Sequence, residues 1–256
     1  MYGLFLKNRF KILLEYRINL FIGITSVICI QMAGLLAVWV VMQQVPTLNG
    51  WSYNEILLIY GFLTLSRSLN HMFADNLWTL GQVYIRTGQF DRFLVRPIDP
   101  LFHLMADRFC QDGIGNFLIG LAVLVRSIGV LGIQLSPLDL LYIVVAVISG
   151  GLIFMAINVI TATSAFWIID SVPLSRAVYE THEFAKYPLS FYHQSIAALM
   201  TWGIPYGFTS FYPASYVLKH DLGMLVYAPP AVALVLCFCA HRVWLFGLRH
   251  YSGTGS

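Results

Sequence analysis

The sequence predicts an all-α polytopic membrane protein with six transmembrane helices and both termini cytoplasmic. Three observations predict it. Mean hydropathy is +0.73. Apolar stretches of about 20 residues recur, long enough to cross a hydrocarbon core of roughly 30 Å as helices. Lysines and arginines gather in alternate connections between those stretches. A chain that is 58% hydrophobic and 11% charged would, in water, leave its apolar surface without a home. The whole length, 1–256, reads as one transmembrane domain.

The first eighteen residues, "MYGLFLKNRFKILLEYRI", place Lys7, Asn8, Lys11 and Glu15 on one helical face, with Leu4, Leu6, Phe10, Leu13 and Leu14 dominating elsewhere. This is the pattern of an interfacial amphipathic helix; a plain basic lead-in to the first span is the alternative. No small-residue cleavage site follows a short apolar core, so the start is not expected to be a cleavable signal. The spans are read as Asn19–Met42, Glu55–Phe73, Asp112–Leu131, Leu138–Ile168, His193–Tyr212 and Leu222–Leu245. The fourth exceeds what a bilayer needs, so it tilts or runs beyond. The fifth is interrupted by Gly203, Pro205 and Gly207.

With the N-terminus inside, the inner side collects Lys7, Arg9, Lys11 and Arg17, then Arg86, Arg92, Arg96 and Arg108. Arg176, Lys186, Arg242 and Arg249 complete it, making twelve of the fifteen basic residues. The outer side keeps Lys219, while Arg67 and Arg126 fall within spans. Trp39 and Trp51 outside, with Trp78, Trp167 and Trp244 inside, suit aromatic belts. The net charge of +3 therefore reflects membrane orientation and carries no message about nucleic acid. Cys29, Cys110, Cys237 and Cys239 sit in or beside the spans and read as small reduced hydrophobes.

Two connections stand out. Residues 75–109 form an inner loop containing "RTGQFDRFLVRPIDPLF" (Arg86–Phe102), in which Thr87–Gly88 reads as a turn and Gln89–Val95 as a short helix. Phe90, Phe93 and Leu94 lie on its apolar side, and Pro97 and Pro100 break it. Such a rigid charged element fits a cytosolic docking surface; an ordinary solvated loop is the alternative. Residues 203–222, within "TWGIPYGFTSFYPASYVLKHDLG", are aromatic yet broken by Pro205 and Pro213. Irregular backbone at membrane depth needs protein or a cavity to satisfy its polar groups, so an outer broken or re-entrant segment is expected.

Arg67 lies about 18 Å into the second span at a 1.5 Å rise. Either it lines a path or locks its helix to a neighbour, or it snorkels to the inner face. No phosphate-cradling G-x-x-x-x-G-K-[ST], no H-E-x-x-H, no G-x-S-x-G and no paired-cysteine metal spacing occurs. No catalytic and no metal-binding residues are assigned.

The Arg86–Phe102 stretch resembles the basic-x-Gly-x-hydrophobic-Asp-x-x-Leu-x-Arg-Pro-x-x-Pro-Leu motif of type-2 ABC exporter permeases. More narrowly, it resembles their six-helix branch, encoded beside a separate ATPase and often a second permease. "KYPLSFY" (Lys186–Tyr192), "FYPASYVL" (Phe211–Leu218) and "WLFGLRHYSGTGS" (Trp244–Ser256) carry the same resemblance across the chain. It implies a dimeric permease, with an identical or related second permease, on two cytosolic ATPase subunits that hold ATP and Mg; this chain itself would bind no cofactor. It implies that Arg86, Gly88, Phe90, Asp91, Arg92, Arg96 and Pro97 couple to the ATPase, with Phe90 as apolar anchor. It also implies a substrate path along the second and fifth helices, where Leu65, Arg67, Asn70, His71, Met200 and Tyr206 lie.

The expected function is outward movement of a small amphiphilic, drug-like or peptide substrate across a prokaryotic inner membrane, with lipid as a further partner. An ion-coupled secondary transporter is the alternative. It would need carboxylates at mid-depth, and Asp and Glu are missing from the centres of the six predicted spans.

Overall fold

The structure, a computed structural model, describes residues 17–251 apart from 46, 109, 111 and 221. The predicted interfacial helix at 1–18 and the last five residues of the C-terminal motif therefore lie outside the described residues, save the backbone of Arg17 and Ile18. The described residues form helices α1 (Arg17–Gln44), α2 (Tyr53–Ala74), α3 (Asp91–Leu94), α4 (Pro100–Asp107), α5 (Asp112–Val130), α6 (Pro137–Thr163), α7 (Val172–Glu180), α8 (Gln194–Ala198), α9 (Phe211–Val217) and α10 (Pro229–Leu248), with short 3-10 and π turns between them and no strands. Among the described residues, four helical stretches are long and apolar enough to cross a membrane: Phe21–Gln44, Asp112–Val130, Pro137–Phe166 and Pro229–Leu248. The first, third and fourth expected spans match these closely, and the sixth matches at its end but begins seven residues later, at Pro229.

The second expected span is α2, which matches in length but not in apolarity, and its position explains why. It is the bundle's central helix, its middle buried almost continuously from Ile56 to Ser66, so it has little surface to show to lipid. Glycines let its neighbours approach. A Cβ on Gly120 of α5 would lie 2.9 Å from the Leu65 backbone nitrogen, and one on Gly150 of α6 would lie 2.2 Å from Ser66 Oγ. Small residues at helix contacts are how membrane helices gain packing without a hydrophobic drive between them. Polar bonds add to this. Gln31 of α1, buried, accepts from the Tyr60 hydroxyl and donates to Asn116 of α5. Asn158 of α6 donates to Ala74 O (3.2 Å) and Asn70 Oδ1 (3.4 Å) of α2.

The fifth expected span, His193–Tyr212, is not a span. Proline and glycine decide this: Pro205 lacks an N–H, and the backbone leaves helical geometry at Ile204 and Pro205 and again at Ser210. The chain doubles back there as a hairpin, Thr201 Oγ1 meeting the Tyr212 hydroxyl at 3.0 Å. Its tip rests halfway along the bundle, with Ser66 Oγ donating to Thr209 O (3.1 Å) and the Tyr206 ring 4.6 Å from Phe154. Both its arms return to the end where α2 begins, for Asn49 donates to Ser190 O (2.7 Å) and the Tyr216 hydroxyl to Asp139 Oδ1 (3.0 Å).

Instead, residues 170–190 run beside α2 for its whole length. Gln82 donates to Asp170 (3.0 Å) beyond the far end of α2. Moving along, the Tyr179 hydroxyl meets His71 (2.9 Å), His182 meets Arg67 (3.0 Å), and Ser190 reaches Asn49 at the near end. Arg176 and Lys186, expected in an inner loop, thus lie within this segment, as do Glu180 and Glu183. Its charge hid it from a hydropathy reading. Among the described residues, α1, α2, α5, α6, this fifth segment and α10 run along the bundle.

Two expected belt tryptophans are also interior. Trp51 packs on Phe211 (5.6 Å) and His220 (4.7 Å), and Trp244 is fully buried. Trp39 and Trp167 are exposed as a belt requires.

Candidate functional site

Residues 75–107 join α2 to α5 through a 3-10 turn (Asp75–Thr79), a π turn (Leu80–Ile85), the hairpin-like turn at 86–90, α3 and α4. Gly88 has φ +71°, a left-handed conformation that glycine adopts without strain, and this reverses the chain. The Gly88 amide then donates to Ile85 O (3.0 Å) and that of Phe90 to Tyr84 O (2.9 Å). Pro100 does not break a helix, as expected, but opens one. It occupies the first turn of α4, where a missing N–H costs nothing, and Asp99 caps that helix by accepting from the Phe102 amide (2.9 Å).

Phe90, expected as the anchor for a partner, has 0% exposure and belongs to this chain's own interior. Its ring meets those of Tyr251 (5.0 Å), Phe166 (5.5 Å), Phe93 (5.9 Å) and Trp244 (6.2 Å). The motif's phenylalanine is apolar because it pins the turn to the ends of α6 and α10. Asp91 completes the pin by accepting from the Tyr251 hydroxyl at 2.8 Å. Burial, followed by Asp91, pushes the Tyr251 phenol up to about 12.

A second set of bonds stiffens the turn from within. Asn76 donates to Leu104 O (2.7 Å), and the Tyr84 hydroxyl donates to Asp107 (2.9 Å). Burial raises the Tyr84 pKa, so it stays a donor. Arg92 bonds Asp107 (2.8 Å) while its guanidinium covers the Phe93 ring at 4.8 Å. Arg96 donates to His103 Nε2 (3.0 Å). Burial, then Arg96, lowers the His103 pKa, which keeps that nitrogen an acceptor.

What faces outward is therefore Arg86, Gln89, Leu94, Val95, Arg96 and Pro97, with Arg92 still largely exposed. Val95 is 82% and Leu94 42% exposed, an apolar pair flanked by arginines on a mount that cannot move without α6 and α10.

The residues expected along a path divide. Leu65, Asn70, Met200 and Tyr206 are buried in the bundle. Leu65 faces Gly120 of α5, Asn70 accepts from Asn158, and the Met200 backbone carbonyl abuts Gly207. Arg67 and His71 converge with Tyr206 on the fifth segment. His182 Nδ1 donates to Tyr179 O (2.6 Å), leaving Nε2 to accept from Arg67 (3.0 Å). His71 Nδ1 donates to Asp75 (3.1 Å) and Nε2 accepts from Tyr179 (2.9 Å). Arg67 thus locks α2 to its neighbour and does not snorkel. Among the described residues, no group of His, Cys, Asp and Glu is placed to hold a metal ion.

A scan of the chain against family models matches the ABC-2 family transporter protein over residues 28–255. The chain belongs to the ABC-2 transporter family. No curated protein and no solved structure among those compared matches it. As an ABC-2 chain it is a membrane component of a transporter, not itself catalytic, and membership implies a partnering ATPase subunit. Tyr251, Phe166, Trp244, His103 and Asp107, which fix the turn, escaped sequence reasoning. Only Trp244 and Tyr251 carried a signal, as part of the C-terminal motif.

Proposed function

We propose that this chain is the permease subunit of a type-2 ABC exporter, driven by a separate ATPase that seats on the Arg86–Pro97 turn. The carrying observation is the exposed Leu94–Val95 pair between Arg86, Arg92 and Arg96, on a turn pinned to α6 and α10. Apolar contacts bury area and flanking charges set orientation. ATP and Mg reside on the ATPase, whose two nucleotide states must bind the permease differently to shift it.

In this reading the six end-to-end segments are six crossings of a prokaryotic inner membrane. Both termini then lie on the side of the Arg86–Pro97 turn, which is the cytoplasm. The 193–218 hairpin dips in from the opposite side. Arg176, Glu180 and Glu183 are exposed on the fifth crossing, Glu183 by 46%, and charge there is costly against lipid. A second permease, identical or related, covers that face across a wet path. The cargo is a small amphiphilic, drug-like or peptide molecule moved outward.

An ion-coupled secondary transporter gains one argument. The relocated fifth crossing carries Glu183 beside His182 and Lys186, so a carboxylate at depth is no longer lacking. ATP dependence separates the two readings. The test is co-purification from native membranes: a P-loop ATPase bound to wild type and lost with Val95→Glu supports the exporter. Its absence with wild type in several mild detergents removes it.

A further inference from the structure

Arg126 lies in α5, four residues before the helix ends at Val130, or about 6 Å along its axis. It is exposed, and no side-chain hydrogen bond or ion pair engages it among the described residues. Arg67, deep in α2, has His182 instead. An arginine at this level of a membrane helix needs an anionic partner or water.

Beside Arg126 runs a groove between α1, α2 and α5 of about 440 Å³. Its walls are apolar, including Leu35, Leu36, Leu57 and Val123, and Trp39 and Tyr53 lie along it; Arg126 is its one charged residue. Trp39 is five residues from the end of α1, and Tyr53 opens α2, so both aromatic residues lie near the same end of the bundle as Arg126. Amphipathic rings favour the headgroup level of a bilayer.

An apolar trough with a single guanidinium on its wall matches a molecule with the same two parts. We propose that the groove is a binding site for one anionic glycerophospholipid of the adjoining leaflet. An acyl chain fills the trough, and the phosphate is held by Arg126, whose planar fork suits bidentate phosphate contact. The site stands on the chain's place in a membrane and is independent of ATPase docking.

The test uses the full chain in phosphatidylcholine nanodiscs, with phosphatidylglycerol replacing part of the lipid, read by thermal unfolding and by lipid retention in native mass spectrometry. Wild type should unfold at a higher temperature with phosphatidylglycerol and retain it selectively. Arg126→Gln should keep its stability in phosphatidylcholine but bind phosphatidylglycerol roughly tenfold more weakly, as loss of one charge-assisted contact predicts. Leu36→Trp, on an exposed position of the groove, should also abolish retention while Arg126 remains. Equal effects of the two lipids on wild type would overturn the site. So would a shift that survives Arg126→Gln, which puts the lipid on the turn's arginines, or retention that survives Leu36→Trp.

Discussion

Replacing Phe90 with alanine empties the centre of the aromatic cluster that joins the 86–99 turn to α6 and α10. The side chain is wholly buried and meets four other rings. A buried Phe→Ala change costs about 3–5 kcal/mol, cavity included. If the turn opens as a local unit, that is roughly two to three and a half powers of ten in its opening equilibrium. Trypsin reads this directly, since Arg92, after which it cuts, is tied to Asp107 when the turn is closed. Cleavage after Arg92, followed by mass spectrometry, tracks the open population when reclosing outpaces cutting; Arg96 precedes Pro97 and is not cut. The expected result is at least a hundredfold faster cleavage in Phe90→Ala, on the scale of about 3 kcal/mol. An acceleration below about threefold would show that the cluster does not hold the turn and that Phe90 is free to serve a partner after all.

Other outcomes follow from the same geometry. Val95→Glu, on an exposed position, should change stability by no more than about 0.5 kcal/mol yet abolish ATPase co-purification, so thermal unfolding and pull-down must disagree. The turn should loosen in acid: His103 is held below its ordinary 6.5, so the opened turn takes up a proton first. That stability is present above about pH 6.5 and lost as pH falls toward the lowered value. Hydrogen exchange over 90–107 between pH 7.5 and 5.5 should show this, and His103→Gln should flatten the difference. His182→Ala leaves the Arg67 guanidinium without its partner and should cost about 1–3 kcal/mol, partly recovered in Arg67→Leu/His182→Ala. Full additivity of the two changes in thermal unfolding would remove the lock.

Hydropathy reads contact with lipid, and it succeeded where helices have such contact. The outward faces of α1, α5, α6 and α10 are apolar, and their boundaries agree with the sequence to within a few residues, apart from the start of α10. The method misplaced the fifth segment for the same reason. Residues 171–189 carry Arg176, Glu180, His182, Glu183 and Lys186, which the bundle and its exposed charged face accommodate, while the apolar 193–212 stretch satisfies a length rule but is folded in two by Pro205. The backbone leaves helical geometry at Ile204 and Pro205 because a missing donor and a kink are local properties of proline. The direction of Phe90 was not legible. Four residues of α3 allow either face to be inward, and the choice is made by Trp244 and Tyr251, some 150 positions away in sequence.

The charged fifth segment also bears on how the chain is made. On insertion scales each Arg or Lys at a helix centre opposes entry into the bilayer by about 2.5–3.5 kcal/mol, so this stretch lacks the means to partition alone. Its partners on α2, Arg67 and His71, are synthesised about a hundred residues earlier and are already waiting when it emerges. In the proposed six-crossing arrangement, insertion of the fifth segment is an act of folding onto α2, and a chain that loses those contacts should strand the segment on the side of its synthesis, reversing the topology of everything after it.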